Sequence, residues 1–158
     1  MTDTDKKPFF RRIRSFVRRE GRLTPGQQRA LDELRTDMAQ AIPMNRLLQG
    51  DVGSGKTVIA ALGMAIAVQN GGQAALMAPT SILAEQHYHH LVELLSELIP
   101  PVDRMHHGYN RENIRLLLGS TPESEKQQIR AGLVDGSIKI VIGTHALIED
   151  PIQFLNLQ

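Results

Sequence analysis

The stretch Gly50-Asp51-Val52-Gly53-Ser54-Gly55-Lys56-Thr57 fits the pattern G-x-x-x-x-G-K-[ST] at every fixed position. Leu47 and Leu48 before it can end a strand, and Lys56 to Val68 after it can form a helix. Between such elements Gly50, Gly53 and Gly55 let the backbone curl until successive N–H groups point at one anion, and the helix dipole adds to the attraction. Lys56 would reach the β- and γ-phosphates of a nucleotide, and the Thr57 hydroxyl would hold Mg²⁺. The plain alternative is a Gly-rich turn that matches by accident, and a strand before and a helix after count against it. The stretch therefore predicts a nucleotide site over residues 50–57, with Lys56 and Thr57 as its catalytic groups and Thr57 as its metal ligand.

Outward from the loop, strand and helix alternate. Asn45 to Gln49 reads as a strand feeding it, and Lys56 to Gln69, apolar nearly all round, as a deeply buried helix stopped by Asn70-Gly71-Gly72. Upstream, Thr24-Pro25 is a helix start leading into Gln27 through Met38, which Ile42-Pro43 closes. Downstream, Gln73 to Ala78 reads as a strand and Ile82 to Leu98 as a helix with Leu91, Leu94, Leu95 and Leu98 on its core face, ended by Pro100-Pro101. Residues 103–112 read as a polar loop, Ile114 to Leu118 as a strand, and Thr121-Pro122 as the opening of a helix running to Val134. Ile138 to Ile142 is apolar except for Lys139 and reads as a strand buried on both faces. The predicted fold is a P-loop NTPase-type α/β domain, a parallel sheet with helices on both faces, over residues 23–158.

Composition bounds the rest. The 158 residues are 41% hydrophobic and 22% charged, the balance of a soluble globular domain. Cysteine is absent, which rules out disulfides and thiolate sites and suits a cytoplasmic protein. No run approaches the roughly eighteen apolar residues of a membrane span, and the start Met1-Thr2-Asp3-Thr4-Asp5-Lys6-Lys7 lacks a signal's apolar stretch. Residues 1–22 read as a basic arm, expected to be disordered over 1–8 and of helical spacing over 11–19. Its Arg11, Arg12, Arg14, Arg18 and Arg19 alternate with Phe9, Phe10, Ile13, Phe16 and Val17. The arm reads either as a nucleic-acid phosphate contact or as an amphipathic helix with solvated charges. None of the six histidines has metal-ligand spacing, so they read as surface or loop residues.

Three further segments sit where predicted strands end, the place where open parallel sheets bind ligands. They are Ala78-Pro79-Thr80-Ser81-Ile82-Leu83-Ala84-Glu85-Gln86-His87, Leu118-Gly119-Ser120 and Ile142-Gly143-Thr144-His145-Ala146-Leu147-Ile148. With the phosphate loop and its lead-in Met44-Asn45-Arg46-Leu47-Leu48-Gln49, these segments in this order resemble the first motor domain of RecG-type DNA helicases of superfamily two, from about Arg35 onward. The resemblance implies ATP with Mg²⁺ as cofactors and branched or duplex DNA as substrate, in recombination and repair. Gln27 is similar to the glutamine that reads the adenine edge in these motors. Pro79, Thr80, Gly119, Ser120 and Thr144 would contact the DNA backbone, as small residues at helix starts can without reading sequence. The same residues are also ordinary helix starts.

Two stretches depart from that pattern. Residues 11–34 resemble the N-terminal arm of bacterial tRNA guanine-N7 methyltransferases, which implies an RNA contact for the arm, yet no S-adenosylmethionine loop follows. In the helicase family the strand after Phe154-Leu155-Asn156-Leu157 carries an Asp-Glu pair, which orders Mg²⁺ and activates water; Gln158 precedes it. Glu149-Asp150 imitates such a pair but reads as a loop before Pro151. The expectation is a motor-domain fragment with an exposed sheet edge, or a non-catalytic fragment that binds nucleotide or nucleic acid.

Overall fold

The computed structural model describes residues 23–98, 112–149 and 152–158. The chain forms two compact units, residues 1–66 and 67–158. The arm with Arg11, Arg12, Arg14, Arg18 and Arg19, the Pro100-Pro101 helix end and the polar loop up to residue 111 lie outside the described residues.

The first unit contains helix α1 (Pro25–Met38) and most of helix α2 (Lys56–Gln69). Thr24 caps α1: its Oγ1 accepts from Gln27 N at 3.2 Å, while Gln27 Oε1 accepts from Thr24 N at 2.9 Å. This reciprocal box satisfies two of the donors a helix start leaves orphaned, with Pro25 in the first turn where its missing N–H costs nothing. Leu31 is buried on the inner face of α1. Leu34 lies over Gly63 of α2, where an added Cβ would come within 3.3 Å of both its methyls, so that glycine sets how closely the helices approach. Ile59, Ala61, Leu62 and Ala65 of α2 are fully or almost fully buried, as its all-round apolar sequence predicts.

Asn45 to Gln49 is not a strand. Extended apolar sequence becomes a strand only through a ladder partner, and these residues meet none among the described ones. Leu47 is 86% exposed.

In the second unit α2 ends in a Schellman turn, with Gly72 N donating to Ala67 O at 3.0 Å and Gly71 N to Val68 O at 3.0 Å. Three parallel strands follow, β1 (Ala74–Met77), β2 (Ile114–Leu117) and β3 (Ile140–Gly143), in the spatial order β1-β3-β2. Each is a residue or two shorter than the sequence reading. Helix α3 (Ser81–Leu98) links β1 to β2, and α4 (Glu123–Val134) links β2 to β3. The two crossovers travel in opposite directions across the sheet, and right-handed connection therefore puts their helices on opposite faces. On one face Ile129 and Leu133 of α4 pack with Leu117, Ile138 and Val141, and with the partly buried Leu147, Ile152 and Phe154. Ile140 and Ile142 turn to the other face, where α3 lies on β2 and β3. All four residues of β3 are buried, as its continuous apolar run predicts.

Residues 146–149 form a one-turn helix, α5 (Ala146–Glu149), held by Leu147 N to Thr144 O and Ile148 N to His145 O. The loop reading of Glu149 is therefore corrected, while Asp150 lies outside the described residues. The chain then returns along β1. Gln73 and Leu157 form a parallel bridge, and Gln73 N donates to Asn156 O at 2.7 Å.

Candidate nucleotide and nucleic-acid sites

The phosphate loop has the backbone its glycines predict. Gly53 and Gly55 adopt φ of 79° and 81°, the left-handed region closed to most side chains. Among the described residues, the N–H groups of Gly53, Gly55, Lys56 and Thr57 donate to no acceptor. Val58 N and Ile59 N, by contrast, are satisfied by Gly55 O. Three successive unpaired donors from Gly55 to Thr57, with Gly53 beside them on a left-handed curl at a helix N-terminus, are an arrangement suited to an anion. Lys56 Nζ crosses the loop and donates to Gly50 O at 2.8 Å and Asp51 O at 2.7 Å. Ser54 N closes the turn onto Asp51 O, and Val52 stands fully exposed at its tip. Thr57 Oγ1 has no hydrogen-bond partner among the described residues, which leaves its lone pairs available to a cation.

Gln27 meets this loop directly. Its Nε2 donates to Ser54 O at 2.7 Å while its Oε1 is taken by the capping box. A Cβ at Gly55 would collide with that amide nitrogen, so a side chain there would displace the Gln27 amide from Ser54 O. The resemblance implies an adenine-edge role for Gln27; in this structure both ends of its amide are engaged within the protein.

The five residues expected to contact nucleic acid emerge together from the second unit. Met77, Gly143 and Leu117 lie side by side in the ladder register, so Pro79-Thr80, Thr144 and Gly119-Ser120 leave the sheet at the same edge. Pro79, Thr80, Gly119 and Ser120 are exposed and Thr144 is half-buried. Thr80 also caps α3, accepting from Leu83 N at 3.3 Å, so the ordinary helix-start reading holds for it as well. In the turn after β2, Thr121 Oγ1 accepts from Leu118 N at 2.9 Å and Thr121 N donates to Leu118 O at 3.1 Å, which closes the turn and leaves the Gly119-Ser120 tip without a hydrogen bond among the described residues. Among the described residues no group of three or more His, Cys, Asp or Glu side chains gathers into a metal-ligand set.

Two structural side chains were missed in the sequence. Arg46 donates from Nε to Asp37 Oδ2 at 2.6 Å and from Nη1 to Glu33 Oε2 at 2.5 Å. A lone arginine inside an apolar lead-in, with carboxylates four residues apart on the preceding helix, was the available signal. Buried Gln73 donates from Nε2 to Leu133 O at 2.9 Å and Ile138 O at 2.7 Å, and its Oε1 accepts from Asn156 N at 3.0 Å. Nothing local in the sequence marks it.

The family model described as DEAD/DEAH box helicase matches residues 24–158. The ATP-dependent DNA helicase RecG of Thermotoga maritima is 49% identical over 136 residues, which is 86% of this chain and 16% of that protein. The protein of the same name from Synechocystis is 46% identical over 136 residues, 86% of this chain and 15% of that protein. The chain thus spans about one sixth of the length of these relatives. A solved structure of RecG bound to a three-way DNA junction superposes with a TM-score of 0.79 at 46% identity, over 92% of this chain and 18% of that one. The UvsW helicase of bacteriophage T4, at 18% identity and a TM-score of 0.56 over 83% of this chain and 38% of its own, shares the fold.

These matches give no support to the methyltransferase resemblance of residues 11–34 or to the RNA contact drawn from it. The helicase match begins at Thr24 and takes in the capping box and Gln27. From that box to its last residue, this chain belongs to the DEAD/DEAH box helicase family, with RecG helicases among its relatives.

Proposed function

We propose that the chain is the ATP-binding part of a RecG-like DNA helicase motor, one that acts in the cytoplasm on branched DNA during recombination and repair. The observation that carries this reading is the row of unpaired N–H groups at Gly53, Gly55, Lys56 and Thr57 on a left-handed curl. The curl, from Gly50 through Asp51, Val52 and Ser54, surrounds a β-phosphate, and Lys56 exchanges its carbonyl partners for phosphate oxygens. Thr57 Oγ1 would hold Mg²⁺, which would supply charge to offset that of the phosphates. Pro79, Thr80, Gly119, Ser120 and Thr144 share one sheet edge, which fits contact with a sugar-phosphate backbone. The RecG relative whose structure holds a three-way DNA junction supports branched DNA as the substrate.

Calorimetric titration with Mg-ADP tests the nucleotide half of the proposal. The chain should bind and Lys56→Ala should abolish binding, because it removes the countercharge at the phosphate. Equal binding by the two proteins would overturn the assignment of the loop.

A further inference from the structure

Residues 41–49 lead into the phosphate loop with every residue exposed and, among the described residues, no strand ladder behind them. Among the described residues, one side chain alone ties this lead-in to anything by hydrogen bonds, and it is Arg46. Its guanidinium spans Asp37 and Glu33, which stand one turn apart on the same face of α1. A planar fork with five donors can hold two carboxylates at once, where an ammonium offers a point charge. The hydrogen bond from Arg46 holds the Asp37 carboxyl below the usual carboxylate range against the opposing effect of desolvation.

The far end of the same helix grips the loop itself. Gln27 Nε2 donates to Ser54 O, and Gln27 lies ten residues before Asp37, about 15 Å along the axis. Helix α1 is thus fastened at one end to the anion-binding curl and at the other to the chain that enters it. A loop with orphan N–H groups must hold them converged against their mutual repulsion, and any ordering left to the moment of binding is subtracted from affinity.

We infer that Arg46 is a positioning residue for the nucleotide site: its fork on Asp37 and Glu33, with the Gln27–Ser54 bond, makes α1 a brace that holds the phosphate loop in its binding curl. The inference rests on the nucleotide reading above. Exposed ion pairs contribute little to global stability, so the brace acts on the local order of the loop, and affinity and melting respond differently to its loss.

The test is Mg-ADP affinity of the full chain, read beside its nucleotide-free melting temperature, for wild type, Arg46→Met, Arg46→Lys, Asp37→Asn and the double variant Arg46→Met/Asp37→Asn. Arg46→Met should weaken binding by roughly tenfold, the scale on which supporting partners act on a bound group. Arg46→Lys should recover part of that, and melting should shift by no more than about 2 °C. Asp37→Asn approaches the clamp from the acceptor side, and the double variant should bind no worse than the weaker single, since both remove one interaction. Wild-type affinity in Arg46→Met and Asp37→Asn, with Lys56→Ala binding nothing, would overturn the brace and leave the nucleotide site standing. Additive losses in the double variant would also overturn it. Wild-type affinity in Lys56→Ala would overturn the nucleotide reading and the brace with it.

Discussion

Gln27 and Ser54 are joined by a 2.7 Å hydrogen bond across 27 positions of sequence, from the side-chain amide in the first turn of α1 to a carbonyl in the middle of the phosphate loop. The same amide completes the capping box with Thr24. One side chain therefore couples the start of a helix to the shape of the loop proposed to hold phosphate. It can do so because Gly55 has no side chain where the amide nitrogen lies.

Gln27→Glu separates the two tasks. The carboxylate still accepts from Thr24 N, so α1 keeps its cap, but it faces the Ser54 carbonyl as an acceptor instead of a donor. Far-ultraviolet circular dichroism should be unchanged while Mg-ADP affinity falls several-fold. Unchanged affinity would mean the bond to Ser54 O does not shape the loop.

The ion pair between Asp37 and Arg46 makes a prediction about acid. The folded-state pKa of Asp37 is lowered from 3.8, with the Arg46 hydrogen bond as the largest cause. A depressed carboxyl contributes stability that is present above its unfolded value and lost as pH falls through the folded one. Asp37→Asn and wild type should therefore differ by a constant amount in urea melts from pH 5 to 8, and the difference should shrink below about pH 4. A difference that grows toward acid would contradict the pairing.

Gln73 carries a stability prediction. Its amide satisfies two carbonyls at the end of α4 and the entry to β3, and receives the N–H of Asn156. Gln73→Leu fits the space but leaves Ile138 O without its donor and Asn156 N without its acceptor, at about 1–3 kcal/mol for an unsatisfied buried group, while Leu133 O keeps the N–H of Leu155. Urea unfolding should show that loss, and amide exchange at Asn156 should quicken. A neutral result would mean water takes over the clasp.

Most of the fold was legible because its signals are local. Thr24-Pro25 marked a helix start and formed one, the all-apolar run of α2 predicted its burial, and Ile138 to Ile142 showed its two buried faces. The left-handed curl at Gly53 and Gly55 was legible because that backbone needs glycine at fixed positions. Asn45 to Gln49 failed because strand character is not local: Leu47 and Leu48 have the right side chains and no ladder partner among the described residues. Arg46 and Gln73 were missed for the same reason, since each acts through groups distant in sequence. Glu149 was read as loop because the turn that holds α5 comes from Thr144 and His145 carbonyls, which any sequence could supply.

The shared edge of Thr80, Ser120 and Thr144 predicts how DNA binding responds to charge. Ser120 sits exposed in an uncommitted turn, so Ser120→Glu should leave folding intact. A carboxylate there should weaken branched-DNA affinity to a similar degree whatever the sequence, because backbone contacts carry no base information. Fluorescence anisotropy on junctions of unrelated sequence checks this. Unchanged affinity would remove Ser120 from the interface.

The central claim is that the N–H groups of Gly53, Gly55, Lys56 and Thr57 hold a nucleotide phosphate, and amide chemical shifts in a ¹⁵N-labelled chain titrated with Mg-ADP test it most directly. The account predicts that these four amides show the largest shifts, moving together with a single affinity, and that adenosine without phosphate leaves them in place. Shifts confined to other residues, or the same shifts with adenosine, would contradict it.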